Sequence, residues 1–310
     1  MSDDDGTGDV EKEASHLIND LHAAFGWHRA RALFAKGVIL TGCFAPTIEA
    51  REWSRAGVFS GALVPIIARF SNFSGIPDIP DYASGAKPHG LGIRFKLPGK
   101  DRLDIVAHSF NGFPTITASL FGELLRAIGV SPPGADKPTA FERFVAGHPT
   151  AKAFFSKRRR PPASYAALAY YGVSSVMFVN AAGRRTHVRY CFDPKAGVHV
   201  LDRAARKSKG PDYLSEELAT RLAQGPIVFE WVAQFAGRGN HIENPSHAWS
   251  KRRRLVPLGT ISIESLADDQ PAADKWLGFR PGTMPSGIEP ADPMFAIRDA
   301  AYRISHRARQ

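Results

Sequence analysis

Short strand-like runs constrain this chain more than any other feature of its sequence. Four of them lie between residues 37 and 110, namely GVILTGCF, GALVPIIARFSNF, HGLGIRFKL and RLDIVAHSF, with Gly, Pro and Asp between them. The second half adds a hairpin, SSVMFVNAAGRRTHVRYCFDP, and the runs IVFEWVAQFA and LVPLGTISIES. Runs of this length and composition are typical of antiparallel strands. About eight such strands in two groups favour a closed barrel.

Helical patterns flank and separate the strands. VEKEASHLINDLHAAFGW repeats apolar residues every three or four positions, which predicts an amphipathic helix. SLFGELLRAIG, TAFERFVAGH and SEELATRLAQG predict further helices, and DPMFAIRDAAYRISHRARQ predicts a long final one with Asp292 as N-cap and Pro293 in its first turn. We therefore expect one α+β domain over residues 1–310, a closed antiparallel barrel with surrounding helices, in which residues 1–9 are a disordered acidic tail.

Charge and apolar content exclude several classes of protein. No window holds 18 uncharged apolar residues, and the acidic start lacks the layout of a signal peptide, so a cytoplasmic protein without a membrane span is expected. A net charge of +10 can indicate binding to nucleic acid, and the chain contains two short basic runs, KRRRPP and KRRR. Neither run has interleaved aromatic residues, so nucleic acid is not an expected partner. Cys43 and Cys191 lie far apart, which excludes a thiolate zinc site.

The predicted C-terminal helix carries two residues whose side chains could together bind a metal. Arg298 and Tyr302 are four positions apart, so both side chains lie on one face of the helix. A nearby cation favours the phenolate form of a tyrosine, and a phenolate is one of the axial ligands that proteins offer to haem iron. Taken alone, the RxxxY spacing is a weak motif and is more typical of an ordinary surface contact between side chains four positions apart.

The surrounding sequence resembles the haem catalases. FRPGTMPSGIEPADPMFAIRDAAY is similar to their C-terminal segment, in which PGIEPS precedes an RxxxY motif with the proximal tyrosinate. ARFSNFSG, LDIVAHS and FVNAAGR resemble the catalase segments RFS, DLVGNN and LVNANG, in the same order. The short length and the phrases NGFP, YYGV and GPIVFEW resemble the small catalase-related peroxidases, and the resemblance covers residues 12–310.

The resemblance implies a ferric haem b protein on the catalase barrel. Tyr302 would be the axial iron ligand and Arg298 its charge partner. Arg31 and Arg69 match positions that reach the haem propionates, and Ser71 matches the serine behind the distal residue. A homodimer is also expected on the basis of the family alone.

One position departs from the family. The distal motif R-V-x-H-A-K-G appears here as RALFAKG, with Phe34 in place of the catalytic histidine. A phenyl ring can neither accept nor return the proton of a peroxide. His108 falls at the place of the family's distal asparagine, either as a substitute base or as a hydrogen-bonding residue, and Asn111 takes the asparagine role if the loop is shifted.

These residues lead to three hypotheses about function. The first is a peroxidase that reduces hydrogen peroxide or organic hydroperoxides with an electron donor. Its catalase activity would be weak or absent, because Phe34 replaces the histidine that provides general acid–base catalysis, which contributes about 10²- to 10⁴-fold to the rate. The second is a rearrangement of hydroperoxides of the allene oxide synthase kind, which suits an apolar distal wall. The third is a haem carrier or sensor without catalysis.

Overall fold

The computed structural model describes residues 5–157 and 159–310. Its strands are β1 Gly37–Pro46, β2 Val64–Ser71, β3 Gly90–Lys96, β4 Arg102–His108, β5 Tyr170–Val179, β6 Arg185–Pro194, β7 Ile227–Phe235, β8 Leu255–Leu266 and β9 Ile288–Pro290. Its α-helices are α1 Asp5–Phe25, α2 Ala50–Trp53, α3 Ala118–Gly129, α4 Ala140–Gly147, α5 Pro149–Phe155, α6 Arg203–Lys207, α7 Tyr213–Leu222, α8 Gln270–Trp276 and α9 Met294–Arg307.

The start of the chain differs from the sequence-based expectation. Of the acidic segment predicted to be disordered, residues 1–4 lie outside the described residues, whereas residues 5–9 form the first turns of α1. The C-terminal helix begins at Met294, so Pro293 rather than Asp292 occupies the N-cap position. The Asp292 carboxylate still accepts a hydrogen bond from the Met294 N–H at 2.9 Å, because the first N–H groups of a helix lack partners within it.

Eight strands form a closed antiparallel barrel in simple sequential order. Each of β1 to β8 pairs with its neighbours along the chain, and β8 returns to pair with β1. Strands β4 and β5 complete the ring through a single residue pair, His108 with Tyr171. The short β9, which contains the GIEP motif, pairs with β5 and was not predicted as a strand. The closed barrel expected from the sequence is thereby confirmed.

Aromatic side chains fill the interior of the barrel. Trp231 is fully buried, and its ring centroid lies 5.2 Å from that of Phe44 and 5.0 Å from that of Phe95. Burying a side chain of this size contributes about 1.5–3 kcal/mol. These rings pack the interior tightly, whereas Arg69, Ser71 and His108 lie on the outer face of the barrel.

A second apolar layer covers part of that outer face. Residues of α1, α3 and α9 form a separate core cluster that includes Leu17, Leu21, Phe121 and Ala301. These helices leave a cavity between themselves and strands β4 and β5, whose lining includes Val106, His108 and Val173. Among the described residues, no helix is long and apolar enough to cross a bilayer.

Candidate functional site

Two rows of residues cross the outer face of the sheet beside this cavity. Cross-strand partners point to the same side of a sheet, and so do alternate residues along a strand. One row consists of Gly37, Ser71, Gly90 and His108, and the other of Ile39, Arg69, Gly92 and Val106. The intervening residues Phe70, Leu91 and Ala107 belong to the interior core, so both rows lie on the outer face.

Two glycines keep the centre of this face flat. A Cβ atom on Gly90 would lie 2.6 Å from Ser71 Oγ and 2.8 Å from a ring carbon of Phe34, and one on Gly92 would lie 2.7 Å from the ring of Phe279. Larger residues would therefore displace the aromatic rings that line the cavity. The sequence HGLG places glycine at both positions, and this alternation lets the Phe34 and Phe279 rings pack closely against the sheet.

The structure brings most of the predicted site residues to one place. Arg31, Phe34, His108, Arg298 and Tyr302 line the main cavity between the barrel and the helices. A smaller adjoining cavity shares several of these residues and adds two more, Arg69 and Ser71. Asn111 is half-buried and is not a lining residue of either cavity. The position of His108 therefore favours it over Asn111 for the place of the family's distal asparagine.

Phe34 is held in an unusual backbone conformation. Its φ of 58° is left-handed, which costs a bulky residue roughly 1–3 kcal/mol. Its N–H donates to the Phe73 carbonyl at 2.9 Å, and Arg69 donates to the Phe34 and Ala35 carbonyls at 2.8 Å each. Its ring packs edge-on against Phe73, with centroids 5.4 Å apart. These contacts fix the ring as an apolar wall of the cavity.

Three arginines converge on one carboxylate at the edge of the cavity. Asp274 Oδ1 accepts from Arg31 Nε at 3.2 Å and from Arg69 Nε at 2.9 Å, and Arg309 lies 3.9 Å from Oδ2. Burial and the neighbouring Arg69 lower the pKa of Arg31 to about 9. The cluster thus carries two more positive charges than negative ones, and it suits a partner with two anionic groups.

Sequence reasoning missed Arg309 and Asp274. Asp274 lies 243 positions from Arg31, so nothing local in the sequence signals their contact.

Tyr302 and Arg298 lie one turn apart on α9, as predicted from their spacing. Burial raises the pKa of the Tyr302 phenol above its ordinary value, while the nearby Arg298 and Arg31 guanidiniums oppose this rise. Arg298 is fixed by a hydrogen bond from Nη1 to Ser174 Oγ at 3.1 Å. The phenol is therefore neutral without a ligand, and a metal cation would favour the phenolate.

A buried polar network lies next to the segment that carries Phe34. His89 Nδ1 donates to Asn72 Oδ1 at 2.9 Å, and the Tyr165 hydroxyl donates to the same oxygen at 2.7 Å. Asn72 Nδ2 donates to Asp81 at 2.7 Å, and Asp81 pairs with Lys36 at 2.9 Å. Because Lys36 and Asn72 flank the Phe34 segment and β2, the network holds these two elements together.

The buried histidines make stability depend on pH. Burial lowers the pKa of His89 to about 3, and that of His108 also to about 3. An unfolded histidine binds protons from about pH 6.5 downwards, so the unfolded state gains protons first and stability is lost as pH falls. His89→Asn keeps an N–H donor but does not titrate, so we expect the pH slope of the unfolding free energy to decrease by up to about 1.4 kcal/mol per pH unit between about pH 6 and 4.

Urea denaturation at several pH values measures this slope. His199→Asn is the matched control, because His199 is exposed. An unchanged slope in His89→Asn would show that His89 is not kept neutral by burial.

The residues around the cavity fit a haem. The two surplus positive charges match two propionates, and the Tyr302 oxygen would be a suitable ligand for ferric iron. The apolar walls suit a porphyrin edge, and they include Leu17, Ile18, Phe113 and Val173. The site thus places the chain among the cofactor-binding antiparallel barrels.

Comparison with known proteins identifies the family. Residues 7–310 match the family model described as Catalase. The chain is 33% identical over 283 residues to a catalase-related peroxidase of Mycolicibacterium paratuberculosis, covering 90% of this chain and 88% of that protein. It is 31% identical to a catalase-related peroxidase of Synechococcus elongatus, covering 88% and 81% respectively. The chain belongs to the catalase family.

Solved structures agree at the level of the fold. A fungal catalase superposes with a TM-score of 0.80 at 20% identity, covering 90% of this chain and 59% of that chain. A bacterial catalase gives 0.79 at 21% identity, covering 90% and 57%. This chain therefore spans about three fifths of the length of these two catalases.

Proposed function

We propose that the chain is a haem-dependent peroxidase that reduces hydrogen peroxide or organic hydroperoxides with electrons from an external donor. One observation carries the proposal: Tyr302 faces the same cavity as the arginine cluster, while Phe34 occupies the distal wall. The names of its two relatives, both catalase-related peroxidases, support an oxidoreductase acting on peroxide. Because the pocket lacks the distal base, we do not expect it to decompose hydrogen peroxide rapidly.

The residues divide the work between binding and positioning. Tyr302 would hold a ferric haem b through its phenolate, and Arg298 would favour that ionised form. Arg31, Arg69 and Arg309 would hold the propionates. When bound, the haem supplies the redox chemistry that breaks the peroxide O–O bond. The apolar side chains of α1 and α3 exclude water from the cavity and accommodate an apolar group on the peroxide.

A second candidate is the rearrangement of an organic hydroperoxide, which needs no external reductant. The apolar wall formed by Phe34, Phe73 and Phe113 favours it, because such a wall suits a hydrocarbon chain.

Steady-state turnover tests the proposal. Haem-loaded protein should consume peroxide with saturable kinetics in the presence of a phenolic electron donor and release little oxygen from hydrogen peroxide. Conversion of a fatty-acid hydroperoxide without the donor would favour the rearrangement instead. Ready release of haem to apomyoglobin, with no saturable turnover of any peroxide, would contradict both and indicate a carrier.

A further inference from the structure

The hydrogen bonding of His108 fixes the position of its proton. The backbone N–H of Phe110 donates to His108 Nδ1 at 3.3 Å. A ring nitrogen that accepts a hydrogen bond carries no hydrogen, so the neutral ring has its single N–H at Nε2. His89 has the opposite arrangement, since its Nδ1 donates to Asn72.

The Nε2–H group of His108 has no protein partner. The atom is buried, and within residues 5–157 and 159–310 it makes no hydrogen bond. His108 is only 8% exposed and lines the main cavity, in the same cross-strand row as Ser71 and Gly90. A buried N–H without a partner is costly, so the arrangement points to a ligand that accepts from it.

The surroundings of His108 keep its ring neutral. The charged or titratable groups near it are Tyr171, its partner on β5, together with Arg298 on α9 and Arg159. Burial, followed by these two cations, lowers its pKa to about 3. Its one lone pair is engaged by Phe110, so His108 presents no basic nitrogen to the cavity.

We propose that His108 is a fixed hydrogen-bond donor to the bound peroxide rather than a substitute base, and that this makes peroxycarboxylic acids with an apolar substituent the preferred substrates. The inference rests on the proposed peroxidase function and narrows its substrate class. A neutral donor can stabilise a leaving anion, but it cannot protonate one. Peroxyacids release a carboxylate, a weak base that leaves without a proton, whereas hydrogen peroxide must release the much more basic hydroxide.

The overall reaction balances with a phenol as the electron donor. The O–O bond of R–C(O)–O–OH breaks, and two phenols each supply one electron and one proton. The products are R–COOH, water and two phenoxyl radicals. His108 begins and ends this reaction with the same proton, so it contributes only through its hydrogen bond.

Nitrogen NMR of the ¹⁵N-labelled protein without haem tests the proton position directly. We expect His108 to be neutral with its hydrogen on Nε2, unchanged from about pH 5 to about pH 8, the range in which an ordinary histidine titrates. His108→Gln identifies the signal by its loss. A hydrogen on Nδ1, or a titration within this range, would overturn the proposal.

Two variants then test the donor in the haem-loaded protein. His108→Gln retains an N–H at a similar position, and His108→Leu removes it. The CO stretching frequency of the ferrous CO complex should be similar in wild type and His108→Gln and differ in His108→Leu. Turnover of peroxybenzoic acid should fall at least about tenfold in His108→Leu, since loss of one donor to a developing anion costs about 10²- to 10³-fold, and should be largely retained in His108→Gln.

His199→Gln is the matched control for these measurements. His199→Gln, at an exposed position, should change neither the frequency nor the rate. Equal loss in His108→Gln and His108→Leu, or faster turnover of hydrogen peroxide than of peroxybenzoic acid, would overturn the proposal. Failure to bind haem would contradict the proposed function alone, since the NMR measurement does not need haem.

Discussion

Tyr302→Phe should abolish the tyrosinate-type ferric spectrum and weaken haem binding strongly. The variant removes only the phenol oxygen that would hold the iron, and it leaves the ring packing against the cluster of Ile39, Leu277 and Phe279 in place. Wild type should bind one ferric haem b per chain with a high-spin spectrum. Absorption spectra and haem content after gel filtration measure both quantities.

Tyr171→Phe is the matched control for this experiment. It also removes one phenol oxygen, but Tyr171 does not line the cavity. A Tyr302→Phe protein with full haem content and an unchanged spectrum would show that another residue holds the iron.

Phe34→His should increase decomposition of hydrogen peroxide by at least about tenfold, within the 10²- to 10⁴-fold range of general acid–base catalysis. The Phe34 ring and Ser71 Oγ both lie against Gly90, so an imidazole at position 34 would lie next to a hydroxyl that can orient it. Histidine also adopts the left-handed backbone of this position more readily than phenylalanine. Oxygen release, measured with an electrode, follows the reaction.

Phe34→Asn distinguishes the effect of adding a base at position 34 from the effect of relieving the strained backbone there. Asparagine tolerates the same φ and is polar, but it cannot act as a general base. We expect it to leave hydrogen peroxide decomposition near the wild-type level. A high wild-type activity that Phe34→His does not increase and His108→Ala removes would identify His108 as the working base. No peroxide activity in wild type or Phe34→His, with haem bound, would favour the rearrangement.

Local patterns predicted most of the fold. The strand-like runs GVILTGCF and RLDIVAHSF and the helical spacing on α1 and α9 correspond to observed elements, because short apolar runs and helical spacing both reflect which positions are buried. The single pair that closes the barrel, His108 with Tyr171, was not predictable, since it joins residues 63 positions apart with one contact to specify it.

The candidate site was predictable where it resembled a family motif and not where it depended on tertiary contacts. Tyr302, Arg31 and Phe34 all line the cavity. The contact of Asp274 with three arginines has no sequence signature, because each partner comes from a different segment. The proton position of His108 depends on one backbone N–H, that of Phe110, whose direction only the folded loop determines.

The left-handed backbone at Phe34 has a consequence for how readily the chemistry of this pocket can change. Phenylalanine disfavours a φ of 58°, so the side chain of Phe34 does not by itself explain this backbone conformation. Arg69 and the Phe73 carbonyl impose the conformation from outside the residue. Because residues other than Phe34 hold the loop, a different side chain at this one position can change the chemistry of the pocket without requiring a new scaffold.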